Sequence, residues 1–335
     1  MNTYWLDAPA QALRQARAQQ RFPHALLIHD VPGGGGDELA LLAASTALCR
    51  EPDAPCGRCR DCQRVSRRLH PDLYWVAPLE DAKQKRKHIV IEQIRLLSEQ
   101  LAMTSHDGGA SVAILNPADT MLAPAGNALL KTLEEPRPGV TIILQTIVPT
   151  RLLPTVLSRC MRLRVRVPPH AELIEWLRRE RGEGDWEAVL AVLGDAPLLA
   201  AAVDARALGE LRRDTHRTLE ALRTGGADPG EVAGRWVHPQ DYGLRLACVE
   251  NWITMQIERE LMDAPQPATQ SNSETVAVRG ERYLPAPGAA LKIAPLIRLH
   301  DSVRELVLLA ATPLNKSLGV EQLLWQVLRG GRAAA

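Results

Sequence analysis

Four of the six cysteines in this 335-residue chain fall within fourteen consecutive residues, and this cluster constrains the fold more than any other feature. The residues are Cys49, Cys56, Cys59 and Cys62, with the spacing C-x6-C-x2-C-x2-C. Four thiolates can close a tetrahedral site around Zn²⁺, and four protein ligands leave no position for a reactive water. The spacing therefore predicts a structural zinc site, with any chemistry located elsewhere. A disulfide within the cluster is the alternative.

Composition and charge exclude several classes of protein. Hydrophobic residues make up 46% of the chain, which is enough for packed cores, and the length indicates two or three domains. The net charge of +1 gives no general preference for nucleic acid, so any DNA contact needs a local basic patch. The first residues lack a signal-peptide pattern, and no apolar run is as long as a membrane span. We therefore expect a cytoplasmic protein without a membrane partner.

The first half of the chain alternates between short apolar runs and helix-like stretches. The predicted strands cover residues 24–30, 72–77, 111–116, 140–146 and 161–167. The predicted helices cover residues 37–49, 58–69, 91–103, 127–135 and 151–157. This order predicts an α/β domain with a parallel sheet covered on both faces. The strict alternation in 161–167 predicts an edge strand whose arginines face solvent or a partner.

The second half of the chain reads as helical. Pro168 and Pro169 mark a boundary after the last strand, and apolar periodicity follows in residues 243–261 and 290–309. Residues 263–289 are rich in proline and small polar residues, which predicts a loop. We predict three domains, which cover residues 1–167, 168–204 and 205–335.

A run of glycines follows the first strand and precedes a helix, which is the layout of a phosphate-binding loop. The loop comprises Gly33, Gly34, Gly35, Gly36 and Asp37. The pattern G-x4-G-K-[ST] would place its lysine at Gly36 and its hydroxyl residue at Asp37, so the phosphate-binding cation and the Mg²⁺ ligand are both absent. Asp30 and Asp37 add negative charge that repels a polyphosphate. We expect no bound nucleotide, and we expect Asp37 to be the N-cap of the helix.

The strand that should carry the second ATP motif has also lost its acidic residues. A Walker B strand ends in Asp and Glu, whereas residues 111–115 are followed by Asn116 and Pro117. Asparagine is a poor Mg²⁺ ligand, and proline has no side-chain base. Two independent losses in one site favour a chain without ATP as a cofactor.

Two segments resemble the AAA+ clamp-loader subunits. They are NALLKTLEEPRPGVTIILQT at residues 127–146 and LPTVLSRC at residues 153–160. The cysteine cluster after the first helix narrows the resemblance to the bacterial DNA polymerase III gamma/tau and delta-prime group, and the degenerate ATP motifs look like the delta-prime branch. The resemblance covers roughly residues 20–165. It implies an AAA+ domain with a zinc-binding insertion at 49–62, a small helical lid domain and an all-α collar domain for oligomerisation.

The resemblance also implies roles and partners. Arg159, in the intact Ser158-Arg159-Cys160, would act in trans as an arginine finger on ATP held by a neighbouring subunit, with Ser158 in support. From the residues alone, Arg159 could equally bind carbonyls at a helix end. The implied partners are the gamma/tau ATPases and the delta subunit, with the sliding clamp and primed DNA reached through the complex. The chain itself would not hydrolyse ATP, although it would belong to the DNA polymerase III holoenzyme, a nucleotidyltransferase.

A further departure from the family also indicates a chain that does not hydrolyse ATP. The subunits that hydrolyse ATP carry an arginine in a lid-domain turn, and Pro197 stands at that place in residues 194–197 of this chain.

Two other functions stay open on the sequence alone. The chain could be a gamma/tau-like ATPase with an unorthodox loop, or a zinc-containing DNA-binding module. A basic patch suits the second of these, although the cysteine cluster lacks the interleaved aromatics that stack on bases. The same residues could form an ordinary solvated surface. The patch would comprise Lys83, Lys85, Arg86 and Lys87 with Arg58, Arg60, Arg64, Arg67 and Arg68.

Overall fold

The computed structural model describes residues 2–80, 87–106, 109–238, 240–262, 287–309 and 315–333. The chain divides into two compact units. The first consists of Met1–Gly182 with Asp195–Ala202, and the second consists of Glu183–Gly194 with Val203–Ala335. The finer division into three domains stays a prediction.

A parallel five-stranded sheet forms the centre of the first unit, as predicted. Its strand order is β2-β5-β6-β1-β7, and a separate antiparallel hairpin pairs β3 with β4. The strands are β1 (Ala25–His29), β2 (Leu73–Val76), β3 (Leu79–Glu80), β4 (Lys87–His88), β5 (Ser111–Leu115), β6 (Val140–Thr146) and β7 (Met161–Arg164). Strand β7 lies at the edge with its arginines exposed, which confirms that expectation. The hairpin was not predicted, because two residues per strand are too few to show alternation.

Helices flank this sheet in sequence order. They are α1 (Asp7–Ala18), α2 (Gly36–Leu48), α3 (Arg60–Ser66), α4 (Ile91–Ala102), α5 (Ala123–Glu134), α6 (Pro154–Leu157) and α7 (His170–Arg181). Short 3-10 turns occur at Tyr4–Leu6, Ala118–Thr120 and Pro149–Arg151. The single helix predicted for 151–157 is wrong: Leu152 and Leu153 are extended, and α6 starts at Pro154. A proline restricts the residue before it to extended conformations, so the helix can begin only at the proline itself.

The sheet is buried on both faces, which explains why its central strands are mostly apolar. All seven residues of β6 are buried. On one face, Leu97 of α4 and Leu129 and Leu133 of α5 pack against Ile142 and Leu144. This packing fixes the two helices on the sheet.

The remaining elements begin at α8 (Trp186–Leu193), which belongs to the second unit, and α9 (Pro197–Ala202), which belongs to the first. The second unit continues with α10 (Ala205–Arg223), α11 (Pro229–Trp236), α12 (Tyr242–Met262), α13 (Pro287–Leu309) and α14 (Lys316–Ala333). Its core contains Leu219, Trp236, Trp252, Val303 and Leu324. Helices α12 and α13 confirm the predicted periodic segments, while residues 263–286 of the predicted loop lie outside the described residues. None of the described helices is both long and apolar enough to cross a bilayer.

Candidate functional site

The carboxyl ends of three parallel strands bring polar side chains to the glycine loop. Asp30 follows β1, Asn116 follows β5, and Gln145 lies near the end of β6. Neighbouring parallel strands end at the same edge of a sheet, which is where ligands bind in α/β folds. The amino terminus of α2 meets the same edge, so the loop and these side chains form one site.

The carboxylate of Asp30 accepts hydrogen bonds from backbone N–H groups of the loop. Its Oδ1 accepts a hydrogen bond from the Val31 N–H at 2.8 Å, and its Oδ2 accepts one from the Gly36 N–H at 3.0 Å. Gln145 Nε2 donates a third hydrogen bond at 3.3 Å. Burial raises the pKa of Asp30, and the two backbone hydrogen bonds oppose this shift. A side-chain carboxylate therefore takes donors that would bind a phosphate oxygen in a functional loop.

The start of α2 differs from the expectation. Gly35 is the N-cap with a φ of +103°, in the left-handed region, and α2 begins at Gly36. A Cβ on Gly36 would overlap the Asp30 carboxylate, so the close approach of the two residues requires glycine. The prediction that Asp37 caps the helix is wrong, because Asp30 already binds the Gly36 N–H and the helix starts one residue earlier.

Asp37 instead lies in the first turn of α2 and is held by three side chains. Its Oδ1 accepts hydrogen bonds from Asn116 Nδ2 at 2.8 Å and Gln145 Nε2 at 2.9 Å. Its Oδ2 pairs with Arg68 Nη2 at 2.8 Å, and the Arg68 guanidinium lies 4.0 Å from the centroid of the Trp75 ring. The cation at this site therefore comes from the segment that follows the cysteine cluster, a role that sequence reasoning missed.

Other parts of the first unit cover the glycine loop. Gly33 O accepts a hydrogen bond from the Leu198 N–H of α9 at 3.0 Å, and Gly34 O accepts one from Trp5 Nε1 at 2.7 Å. A Cβ on Gly33 would lie 2.9 Å from Leu199 Cγ. Pro197, at the place where the resemblance puts a lid arginine, begins α9. The segment that would carry a charge toward ATP therefore packs apolar side chains on the loop.

The four clustered cysteines have the geometry of a tetrahedral metal site. Their Sγ atoms all lie within 4.8 Å of one another, and Cys49 Sγ is 3.7 Å from Cys56 Sγ and 3.8 Å from Cys59 Sγ. Four sulfurs at about 2.3 Å from a central ion are about 3.8 Å apart, so the spacing fits. All four are free thiols, which contradicts the disulfide alternative. The residues present therefore fit a metal ion held by four sulfurs.

Backbone N–H groups donate hydrogen bonds to two of these sulfurs. The Cys59 N–H donates to Cys56 Sγ at 3.3 Å, and the Cys62 N–H donates to Cys59 Sγ at 3.4 Å. The first of these bonds lowers the pKa of Cys56 to about 7, whereas burial raises the pKa of Cys49 and raises that of Cys62 to about 12. A buried thiolate needs a compensating positive charge, and a bound cation supplies it.

A second contact fixes helix α3, which begins between the cysteine ligands, to the sheet. Buried His70 accepts the Asp72 N–H at Nδ1 (3.1 Å), and its Nε2 lies 3.4 Å from Asp61 Oδ1. Asp61 belongs to the first turn of α3, and Asp72 directly precedes β2. Buried His70 therefore links α3 to the segment that leads into β2.

Arg159 lies two residues after the end of α6, on the surface of the first unit. Its Nη1 donates to Thr155 O at 3.0 Å and to Ser158 Oγ at 3.3 Å, and its Nη2 lies 2.7 Å from Glu134 Oε1. The Arg159 side chain is 36% exposed. The carbonyl contact is the one that the helix-end alternative describes, and the exposure leaves the guanidinium within reach of a second molecule.

Some of the basic residues near the cysteine cluster are described by the structure, and others lie outside the described residues. Arg58, Arg60 and Arg67 are exposed, and Arg68 is engaged by Asp37. Lys83, Lys85 and Arg86 lie outside the described residues, as does the side chain of Lys87. In the described part of this surface, the exposed arginines lie on α3 and beside it. One of them, Arg68, pairs with Asp37 in the loop site.

Known proteins resemble this chain over the region that carries these features. A family model described as DNA polymerase III, delta subunit, matches residues 6–169. The DNA polymerase III subunit delta' of Pseudomonas aeruginosa is 36% identical over 227 residues, which are 66% of this chain and 68% of that protein. The subunit delta' of Escherichia coli is 34% identical over 220 residues, or 65% of this chain and 63% of that protein. The glycine loop, the cysteine cluster and Arg159 all lie within residues 6–169.

A likeness to a solved structure is weaker. The DNA polymerase III gamma subunit-related protein of Thermotoga maritima is 17% identical, with a TM-score of 0.49, and the match covers 96% of this chain and 99% of that chain.

Replacement of Asp30 by alanine should destabilise the first unit. The Val31 and Gly36 N–H groups would lose their acceptor in a buried loop. We expect a loss of about 1–3 kcal/mol in the free energy of unfolding, because orphaned donors outweigh the relief of burying one charge. Urea denaturation checks this, with the exposed Glu99→Gln as a control that also removes a carboxylate. Equal midpoints for the two variants would show that the loop does not depend on Asp30.

Proposed function

The chain belongs to the family of DNA polymerase III delta' subunits, and from this premise we propose that it binds no ATP itself and offers Arg159 to ATP held by a neighbouring subunit of the clamp loader. Its partners would be the gamma/tau ATPases and the delta subunit. The assembly would use ATP to load the sliding clamp on primed DNA. The chain would thus contribute to replication as a fixed, non-hydrolysing AAA+ member of the complex.

The closed glycine loop is the observation that carries this proposal. Asp30 fills the amide donors, and Asp37 stands where a hydroxyl would bind Mg²⁺. A nucleotide would have to displace Asp30 and bring its phosphates beside two carboxylates without a lysine. These costs favour a loop that serves as a structural turn.

Arg159 has the properties that a finger in trans requires. Its guanidinium is always charged and can bind two phosphate oxygens. Arg159 is held at the surface, in the connection between α6 and the edge strand β7. In phosphoryl transfer, such an arginine stabilises the charge that develops on the transferred group. Ser158 would support it, since its hydroxyl contacts Nη1 of Arg159 and donates to Thr155 O.

The metal at the cysteine cluster is, we infer, Zn²⁺ in a structural role. Cys49, Cys56, Cys59 and Cys62 would hold it, and the full set of sulfur ligands leaves no position for catalysis. Bound zinc would join the end of α2 to the start of α3 as a cross-link. Arg68 lies two residues after the end of α3, so this cross-link would also keep Arg68 on Asp37.

The helical parts of the chain would serve assembly. Residues 168–204 would act as the lid domain, and residues 205–335 as the collar that joins the subunits. The second unit already has its own apolar core around Trp236 and Trp252, which suits a separate role in oligomerisation.

The central test replaces Arg159 by alanine in the complex reconstituted with its cognate subunits. An arginine finger contributes about 10³-fold or more to turnover at the site that it serves. The steady-state ATPase rate of the complex should therefore fall by the fraction that this one site contributes. Clamp loading on primed DNA should fall with it. The variant should fold normally, because an exposed ion pair contributes at most about 1 kcal/mol.

Arg162→Ala is the matched control for this test, since Arg162 is exposed, lies three residues away and carries the same charge. If both variants keep the wild-type ATPase and loading rates, Arg159 is not a finger. If both lose activity equally, the effect is one of general surface charge.

Calorimetric titration of the isolated chain with Mg-ATP distinguishes the silent subunit from a gamma/tau-like ATPase. We expect a Kd weaker than about 1 mM, because the loop amides are already bound and the lysine is missing. The cognate gamma/tau ATPase provides the positive control. Micromolar, Mg²⁺-dependent binding to this chain would favour the ATPase alternative instead.

Metal analysis and thermal unfolding test the zinc inference. The purified chain should contain zinc, and a chelator should lower the melting temperature of the chain, because the energy of metal binding is part of the energy of folding. Zinc added back should restore the melting temperature. If the chelated protein keeps its melting temperature while the complex loses clamp loading, the metal has a functional and not a structural role.

A further inference from the structure

We propose that Glu134 is the positioning residue for Arg159, and that it orients the guanidinium for the phosphate of a neighbouring subunit's nucleotide. The inference deepens the proposed function and rests on it. Glu134 is the last residue of α5, and its Oε1 lies 2.7 Å from Nη2 of Arg159. The sequence showed no reason to connect these residues, which are 25 positions apart.

The contacts fix the plane of the guanidinium and leave two of its five N–H donors, the Nε–H and one N–H of Nη2, without an acceptor in the described part of the chain. Glu134 binds Nη2, and the Thr155 carbonyl and the Ser158 hydroxyl both accept from Nη1. Within the described part of the chain, the Nε–H of Arg159 has no acceptor. A planar group held at two of its nitrogens can present the third in one direction only. The free Nε–H would therefore meet an incoming phosphate oxygen in a set orientation.

The two helices that hold Arg159 are parts of one packed body. Leu133, next to Glu134, and Val156 of α6 are both fully buried in the same apolar core. Gly126 of α5 lies so close to Leu153 that a Cβ on the glycine would be 2.9 Å from Leu153 Cδ1. The backbone at Glu134 and the carbonyl of Thr155 are therefore fixed relative to one another, which is a condition for precise orientation of a third group.

Stability gives little reason for a carboxylate at position 134. The pair is half exposed, so its contribution to folding is small. Glu134 also lies in the last turn of α5, where the negative end of the helix dipole disfavours an acidic side chain. The attraction between Glu134 and Arg159 would strengthen when a neighbouring subunit excludes water from the contact. These facts favour a role in the assembled complex over a role in folding.

The experiment measures kcat and KM for ATP in the reconstituted complex carrying Glu134→Gln, Glu134→Asp or Arg159→Ala. Glu134→Gln keeps the shape of the side chain and removes its charge, so Arg159 should lose its fixed orientation. We expect kcat at the served site to fall by between about 10- and 100-fold, with KM within about twofold, as for a misplaced catalytic group. Glu134→Asp should recover part of the loss. Melting temperatures should not change, which separates positioning from stabilisation.

Glu135→Gln is the matched control, because Glu135 is exposed, adjacent and not paired with Arg159. Combining Glu134→Gln with Arg159→Ala should cost no more than Arg159→Ala alone, since the carboxylate acts through the arginine. If Arg159→Ala lowers the rate and Glu134→Gln leaves it unchanged or raises it, Glu134 is a bystander or a competitor, and this inference fails while the proposed function stands. If Arg159→Ala itself has no effect, the proposed function fails as well.

Discussion

The hydrogen bonds between the Asp30 carboxylate and the backbone of the glycine loop are the interaction on which the rest of the site depends. A strand, a glycine run and a helix together present N–H groups that require an acceptor. In this chain the acceptor is a side chain from the end of β1, bound at 2.8 and 3.0 Å. The loop is therefore complete without a ligand, and α2 can begin one residue earlier than the sequence suggested.

The positive charge that balances the carboxylates of the loop site comes from the segment next to the cysteine cluster. Two carboxylates near one loop need compensation, and Arg68 supplies it to Asp37 from the segment that follows α3. Helix α3 is in turn connected to the cysteines by N–H···S bonds and to the sheet by the contact of His70 with Asp61. The cysteine cluster and the loop site are therefore connected through α3 and Arg68. Arg159 is not part of this network, because it lies between α6 and β7 and is held by Glu134 and Thr155.

Sequence patterns predicted the elements that depend on local periodicity. The central strands follow largely apolar runs, because a sheet covered on both faces leaves little polar alternation there, whereas the edge strand β7 follows an alternating pattern. Errors occurred where a few residues decide the geometry. Pro154 divided a predicted helix, and Gly35 allowed a turn that displaced Asp37 from the N-cap. The hairpin β3–β4 is too short for any periodic pattern to reveal.

By itself, the sequence determined the α/β character of the first half, the cysteine spacing that suits a metal, and the loss of the lysine and acidic residues from the ATP motifs. Only the tertiary structure decided what replaced them. Arg68 reaches Asp37 across 31 positions, Gln145 reaches it across 108, and Glu134 meets Arg159 across 25. Periodicity and spacing report on neighbours in the chain. The contacts of Asp37 form because parallel strands end at one edge of the sheet, and the contact of Glu134 with Arg159 forms because α5 and α6 pack together in one core.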